Sequence, residues 1–93
     1  MPKIKVGVLR GGPSGEYDIS LKTGAAVLEH LPEKYKAHDI LIDKKGVWHR
    51  EGLPKSPKKA LHDIDVVINA MHGEFGEDGK VQHILDGLGV PYY

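Results

Sequence analysis

Cysteine is missing from the chain, which excludes disulfide staples, thiolate metal sites and a cysteine nucleophile at once. Excess charge is missing as well. Thirteen lysines and arginines balance thirteen aspartates and glutamates, so no overall field exists to draw in nucleic acid or an anionic membrane surface. No apolar run approaches the roughly 20 residues that cross a bilayer, and the opening stretch from Met1 to Val6 carries no apolar core of a secretory signal. Internal repeats and low-complexity stretches are also lacking. These absences predict a cytoplasmic protein that engages neither nucleic acid nor membrane.

What remains is an ordinary globular composition. Of 93 residues, 40% are hydrophobic and 28% charged, far from the regime of disordered chains. The length suits one domain with a modest core, and residues 1–93 read as that single domain. Lysines do gather at Lys55, Lys58 and Lys59, in a proline-containing stretch that reads as a solvated loop.

Along the chain, strand and helix patterns alternate. Ile4, Val6 and Val8 recur at every second position and Leu9 leads into Gly11-Gly12, the pattern of a strand ending in a tight turn. Leu21, Gly24, Ala25, Leu28 and Leu31 then follow helical spacing until Pro32. Tyr35 to Ile42 reads as a second strand, and Asp43 to Gly46 as a turn into a small hairpin at Val47-Trp48. Ser56 followed by Pro57 marks the start of a short helix reaching Leu61. Val66 to Met71 is nearly continuous apolar sequence, as expected of a central strand covered on both faces. Val81, Ile84, Leu85 and Leu88 define a last amphipathic helix with Gly89 at its carboxyl cap, and Val90 to Tyr93 begins an extended segment. This order implies parallel pairing with right-handed crossovers. The expected fold is a small Rossmann-like three-layer α/β domain with a mostly parallel sheet of about four strands and a hairpin insertion.

In such sheets ligands bind beyond the carboxyl ends of the strands, which singles out two loops. In Gly11 to Glu16, glycines let backbone approach a ligand and a helix N-terminus offers free N–H groups. Neither the dinucleotide fingerprint nor the ATP loop with its Gly-Lys-Ser/Thr ending is present. A carboxylate at Glu16 repels phosphate and attracts an ammonium group. The competing local reading makes Glu16 a helix-start acid stabilised by about half a kcal/mol, with Ser14 as the N-cap. Tyr17, Asp18 and Ser20 share that ambiguity. The second loop, His72 to Gly79, carries three glycines and the titratable His72, Glu74, Glu77 and Asp78. No EF-hand pattern or second histidine at ligand spacing occurs there, so no metal site is expected. Asp78 can cap the next helix and Glu77 can be solvated, which leaves His72 at the strand end with two readings, an ordinary structural histidine or a hydrogen-bonding partner for a substrate carboxylate.

The two loops together resemble the D-alanine–D-alanine ligase family. The matching patterns are Gly11-Gly12-x-Ser14-x-Glu16-x-x-Ile19-Ser20-Leu21, then Ala70-Met71-His72-Gly73 followed by Gly76-Glu77-Asp78-Gly79 and Gln82, with Gly89-Val90-Pro91-Tyr92 closing the chain. The resemblance implies that Glu16 binds the amino group of a first D-alanine, that Ser14 supports the loop, and that His72 lies by the same subsite, which Glu77 and Asp78 help to shape. It implies an ATP-grasp ligation in which ATP and magnesium activate one D-alanine as an acyl phosphate for attack by the amine of a second, in peptidoglycan precursor synthesis. Those reactive groups come from central and carboxyl-terminal domains in the family. This chain is accordingly expected to be an amino-terminal, substrate-binding domain, to bind no cofactor itself, to hold no catalytic residue of its own and to be inactive in isolation. A homodimer stays among the allowed assemblies. His83 stands where the family commonly has glycine, and Tyr93 where a small hydroxyl residue often follows Pro-Tyr. Two other readings stay open: a free-standing α/β module binding a small molecule or partner without catalysis, and a dinucleotide or phosphosugar domain suggested only by the glycine-rich turn.

Overall fold

A computed structural model describes residues 3–71 and 79–93. Among these, eight elements follow in order: β1 (Ile4–Gly11), α1 (Tyr17–His30), β2 (Tyr35–Ile42), β3 (Trp48–Arg50), β4 (Leu53–Pro54), α2 (Pro57–Ala60), β5 (Val66–Asn69) and α3 (Lys80–Leu88). The sheet order is β4-β3-β2-β1-β5. β1 runs parallel to both β2 and β5, while β3 and β4 fold back as antiparallel strands at one edge. The α/β architecture is the one expected, and the hairpin brings the named strands to five.

Period-two alternation divides the strands between two cores. Val6 and Val8 face α1, whose Val27, Leu28 and Leu31 pack on them together with Ala70. Leu9, Ile40 and Ile42 face the opposite way and form a larger core with Trp48, Leu61, Ile64, Val81 and Leu85. Helices thus cover both faces, giving three layers. Leu9, Ile40, Ile42 and Leu85 are fully buried, each worth about 2 kcal/mol relative to exposure.

α1 presents a slightly different face from the one its periodicity suggests. Ser20 and Gly24 are its buried residues, Leu21 is half-buried and Ala25 is exposed. The cause is Arg10. Its stem lies under the helix, and a Cβ on Gly24 would stand 2.5 Å from the Arg10 Cβ, so glycine lets the helix settle on that side.

β5 ends the order of named strands and does not stand centrally as its apolar run suggested, though residues 91–93 bond to its outer side. On its outer side Val67 donates to the Pro91 carbonyl, Tyr93 to that of Val67 and Asn69 to that of Tyr93, each at 2.9 Å. Its burial is nonetheless uneven: Val67, Ala70 and Met71 are buried, whereas Val66 and Ile68 are half-buried. Two local expectations are met at helix ends. Ser56 Oγ accepts the Lys59 N–H at 3.3 Å with Pro57 at the first helical position, and Gly89 caps α3 in the left-handed region.

Candidate functional site

The strand order creates a crevice. After β1 the chain passes to α1 on one face of the sheet, and after β5 it passes to α3 on the other. The helices that follow these two neighbouring strands thus lie on opposite faces, the arrangement that marks the switch point where open α/β sheets bind ligands.

The first wall is the segment from Gly11 to Glu16, and its shape follows from backbone chemistry. Gly11 has φ of +91°, and a Cβ there would run into the Ile42 carbonyl oxygen; only glycine fits. The Gly12 N–H donates to that same carbonyl at 2.7 Å, tying the loop to the end of β2. Ser14 N–H donates to the Gly12 carbonyl at 2.9 Å, and Ser14 Oγ accepts the Glu16 N–H at 3.2 Å. Ser14 thus does not cap the helix, contrary to the local reading. It sets the backbone of Glu16, which itself occupies the N-cap position of α1 without a side-chain capping bond. Glu16 is exposed, and among the described residues no group bonds its carboxylate.

Behind this wall stands an ion pair that strand periodicity alone did not flag. Arg10 Nε and Nη2 donate to the Asp39 oxygens at 2.9 and 2.7 Å, and Nη1 reaches the Leu21 carbonyl at 3.2 Å. The bond to Asp39 raises the Arg10 pKa above its ordinary value against the opposing effect of burial. One side chain thereby joins β1, β2 and α1 just below the loop. The only signal for it in the sequence is an arginine in a strand whose neighbours are apolar. Lys44, from the turn after β2, lies with Nζ 5.3 Å from the ring centre of Tyr17, and Ser20 is fully buried beneath the helix.

The second loop leaves from the end of β5. Ala70 N–H donates to the Leu9 carbonyl at 2.9 Å, and Met71 N–H to Asn69 Oδ1 at 3.1 Å, so the chain leaves β5 beside the end of β1. His72, Glu77 and Asp78, with Glu74, lie outside the described residues. The chain is described again at Gly79, the N-cap position of α3, with φ of +93°. Among the described residues, no group of three or more His, Cys, Asp or Glu could hold a metal ion, and no helix is long and apolar enough to cross a membrane.

A carboxylate on a helix N-terminus and a glycine-rich turn without lysine suit a cationic ligand group better than a phosphate chain. Comparison with known proteins identifies the family. A family model described as the D-ala D-ala ligase N-terminus matches residues 5–59 and 49–93. A D-alanine--D-alanine ligase of Clostridium beijerinckii is 43% identical over 90 residues, which cover 96% of this chain and 27% of that relative. The chain therefore spans about a quarter of the relative's length. Among solved structures, the D-alanine-D-alanine ligase from Coxiella burnetii superposes with a TM-score of 0.83 at 26% identity, over 99% of this chain and 35% of that one. The Bacillus anthracis ligase complexed with ATP gives a TM-score of 0.72 at 34% identity, over 96% and 28% respectively.

Proposed function

The chain belongs to the family of D-ala D-ala ligase N-terminal domains, and on that premise we propose that residues 1–93 form the substrate-facing domain of an ATP-dependent D-alanine–D-alanine ligase. The observation that carries the reading is Glu16. Its backbone is fixed by Ser14 at the switch point, and its carboxylate is exposed and bonded by no described residue. Such a group is a counter-charge for the ammonium of a first D-alanine, and a charge-assisted hydrogen bond supplies both attraction and orientation. His72, Glu77 and Asp78, on the loop entered from the end of β5, complete the same subsite in this reading, His72 facing the substrate and the two carboxylates shaping the pocket.

ATP does not suit the residues of the first loop. The Gly11 to Glu16 segment offers a carboxylate and no lysine or arginine to the place a phosphate chain would take. The nucleotide, magnesium and the groups that stabilise transferring charge accordingly belong, in this reading, to central and carboxyl-terminal domains. This domain binds the amino acid, holds it and shields one side of it. The product, a D-alanyl-D-alanine dipeptide, would serve cell-wall peptidoglycan synthesis in the cytoplasm.

The test is a chimera in which this chain replaces the matching segment of the C. beijerinckii relative. D-alanine-dependent release of phosphate from ATP is the expected result. Glu16→Gln should lower kcat/KM for D-alanine by about 10- to 100-fold, the scale of losing one charged contact, while KM for ATP stays unchanged. If Glu16→Gln leaves D-alanine kinetics as they were, the assignment of the subsite fails.

A further inference from the structure

Away from the crevice, four basic side chains meet at one hollow. Lys55, Lys58, Lys59 and His62 line a surface cavity of about 400 Å³, within the size range of small-molecule sites. Lys58 and Lys59 stand on α2, Lys55 precedes its cap Ser56 and His62 lies in the turn that follows, so the hollow is built on the short helix and the segments on either side of it. The other face is anchored, with Ala60, Leu61 and Ile64 buried in the core that contains Trp48.

The backbone beneath the cations is pinned at several points. Lys55 N–H donates to the Trp48 carbonyl at 2.9 Å, and His62 N–H to that of Lys59 at 3.2 Å. Lys59 N–H meets Ser56 Oγ at 3.3 Å, and the His62 carbonyl accepts from Arg50 Nη1 at 2.6 Å. Ordering of main chain is therefore already achieved before any ligand arrives. Among the described residues no carboxylate lines the hollow. The adjacent Asp63 is shared, with Oδ1 3.5 Å from His62 Nε2 and Oδ2 3.6 Å from Lys5 Nζ.

Lys55, Lys58 and Lys59 gather like charge here in a chain whose total charge is zero, and like charges brought together repel. A multiply charged anion offsets that repulsion. Lysine ammonium groups bind phosphate as point charges, and the lysine stems provide an apolar floor. We propose that the hollow lined by Lys55, Lys58, Lys59 and His62 binds a small oligophosphate, a site separate from the D-alanine subsite and independent of its assignment. Free pyrophosphate and the phosphate chain of a nucleotide share the chemistry.

Calorimetric titration of the 93-residue chain with inorganic pyrophosphate at low ionic strength tests this directly, with ATP and sulfate as parallel ligands. Saturable binding at one site is expected, weakened by added salt and weakened about tenfold or more in the Lys58→Gln/Lys59→Gln double variant. Both lysines are exposed, and circular dichroism verifies that the variant keeps its fold. Equal affinity for pyrophosphate and ATP supports the site and identifies the phosphate chain as sufficient; tighter ATP binding that the double variant loses supports it with a nucleotide as the source. The proposal is overturned if pyrophosphate does not saturate the wild-type chain, if sulfate binds as tightly, or if the double variant binds as well as the wild type.

Discussion

Two glycines near the first loop illustrate how much a single methyl group decides. At Gly24 a Cβ meets the Arg10 side chain at 2.5 and 2.6 Å, and at Gly15 it meets nothing within 4 Å. Alanine at position 24 gains helix propensity of up to about 1 kcal/mol but forces α1 off the sheet, so Gly24→Ala should destabilise by a net of about 1 to 2 kcal/mol. Gly15→Ala should be neutral to stabilising, by up to about 1 kcal/mol, because it only restricts the unfolded chain. Urea unfolding of the two variants measures both. Asp43 is a second residue with a defined consequence. Its carboxylate binds the His49 ring at 3.0 Å and accepts the Val47 and Lys45 N–H groups at 2.9 Å each. The bond from His49, then that from Val47, holds its pKa below the ordinary carboxyl value. A carboxyl whose folded pKa is depressed stabilises the fold fully above its unfolded pKa and loses that contribution as pH falls through the folded value. Acid titration followed by the single tryptophan, Trp48, which opens β3 and is buried, should register this loss, and Asp43→Ala should remove the step.

At the scale of elements, the edges of the sheet are built differently. On one side a two-residue turn joins β3 to β4 with positive φ at both Glu51 and Gly52, the geometry that matches strand twist in a hairpin. Glutamate is an unusual residue for that backbone, and the contact of its Oε1 with His38 Nδ1 at 2.7 Å helps to hold it. On the other side, residues 91–93 cover β5 through three backbone hydrogen bonds. Deleting Pro91 to Tyr93 should therefore accelerate amide hydrogen exchange selectively at Val67 and Asn69, the two β5 amides that donate outward, relative to the β1 and β2 amides. Equal protection before and after the deletion would show that β5 holds without this partner.

For the molecule as a whole, the proposed role carries a clear negative. The Gly11 to Glu16 segment and its surroundings suit an amino acid and not a nucleotide's phosphate chain, so the 93-residue chain incubated with ATP, magnesium and D-alanine should release no phosphate above background. Sustained D-alanine-dependent turnover would mean that the phosphoryl-transfer groups reside within this chain after all. The oligophosphate hollow does not alter this expectation, since binding at Lys58 and Lys59 brings no D-alanine to the phosphate.

Much of this protein was legible in the amino-acid sequence because it rests on interactions between near neighbours. The alternation in Ile4 to Leu9, the glycines ending β1, the Ser56-Pro57 start of α2 and Gly89 at the end of α3 express local propensity and capping, and each stands in the structure where its pattern puts it. The position of Glu16 after the first strand was equally readable. Four features depended on residues distant along the chain and came only with the tertiary structure. The face of α1 was set by Arg10, itself held by Asp39, 29 positions away. The backbone of Glu51 is held by His38, and the outer edge of β5 is closed by residues 91–93. The lysines that read as a solvated loop are exposed as read, and they line one hollow with His62 because Ala60, Leu61 and Ile64 bury the other side of this segment. Local sequence sets backbone propensity within a few residues, whereas the orientation of a helix and the convergence of side chains are set by packing between segments, which no single stretch of sequence contains.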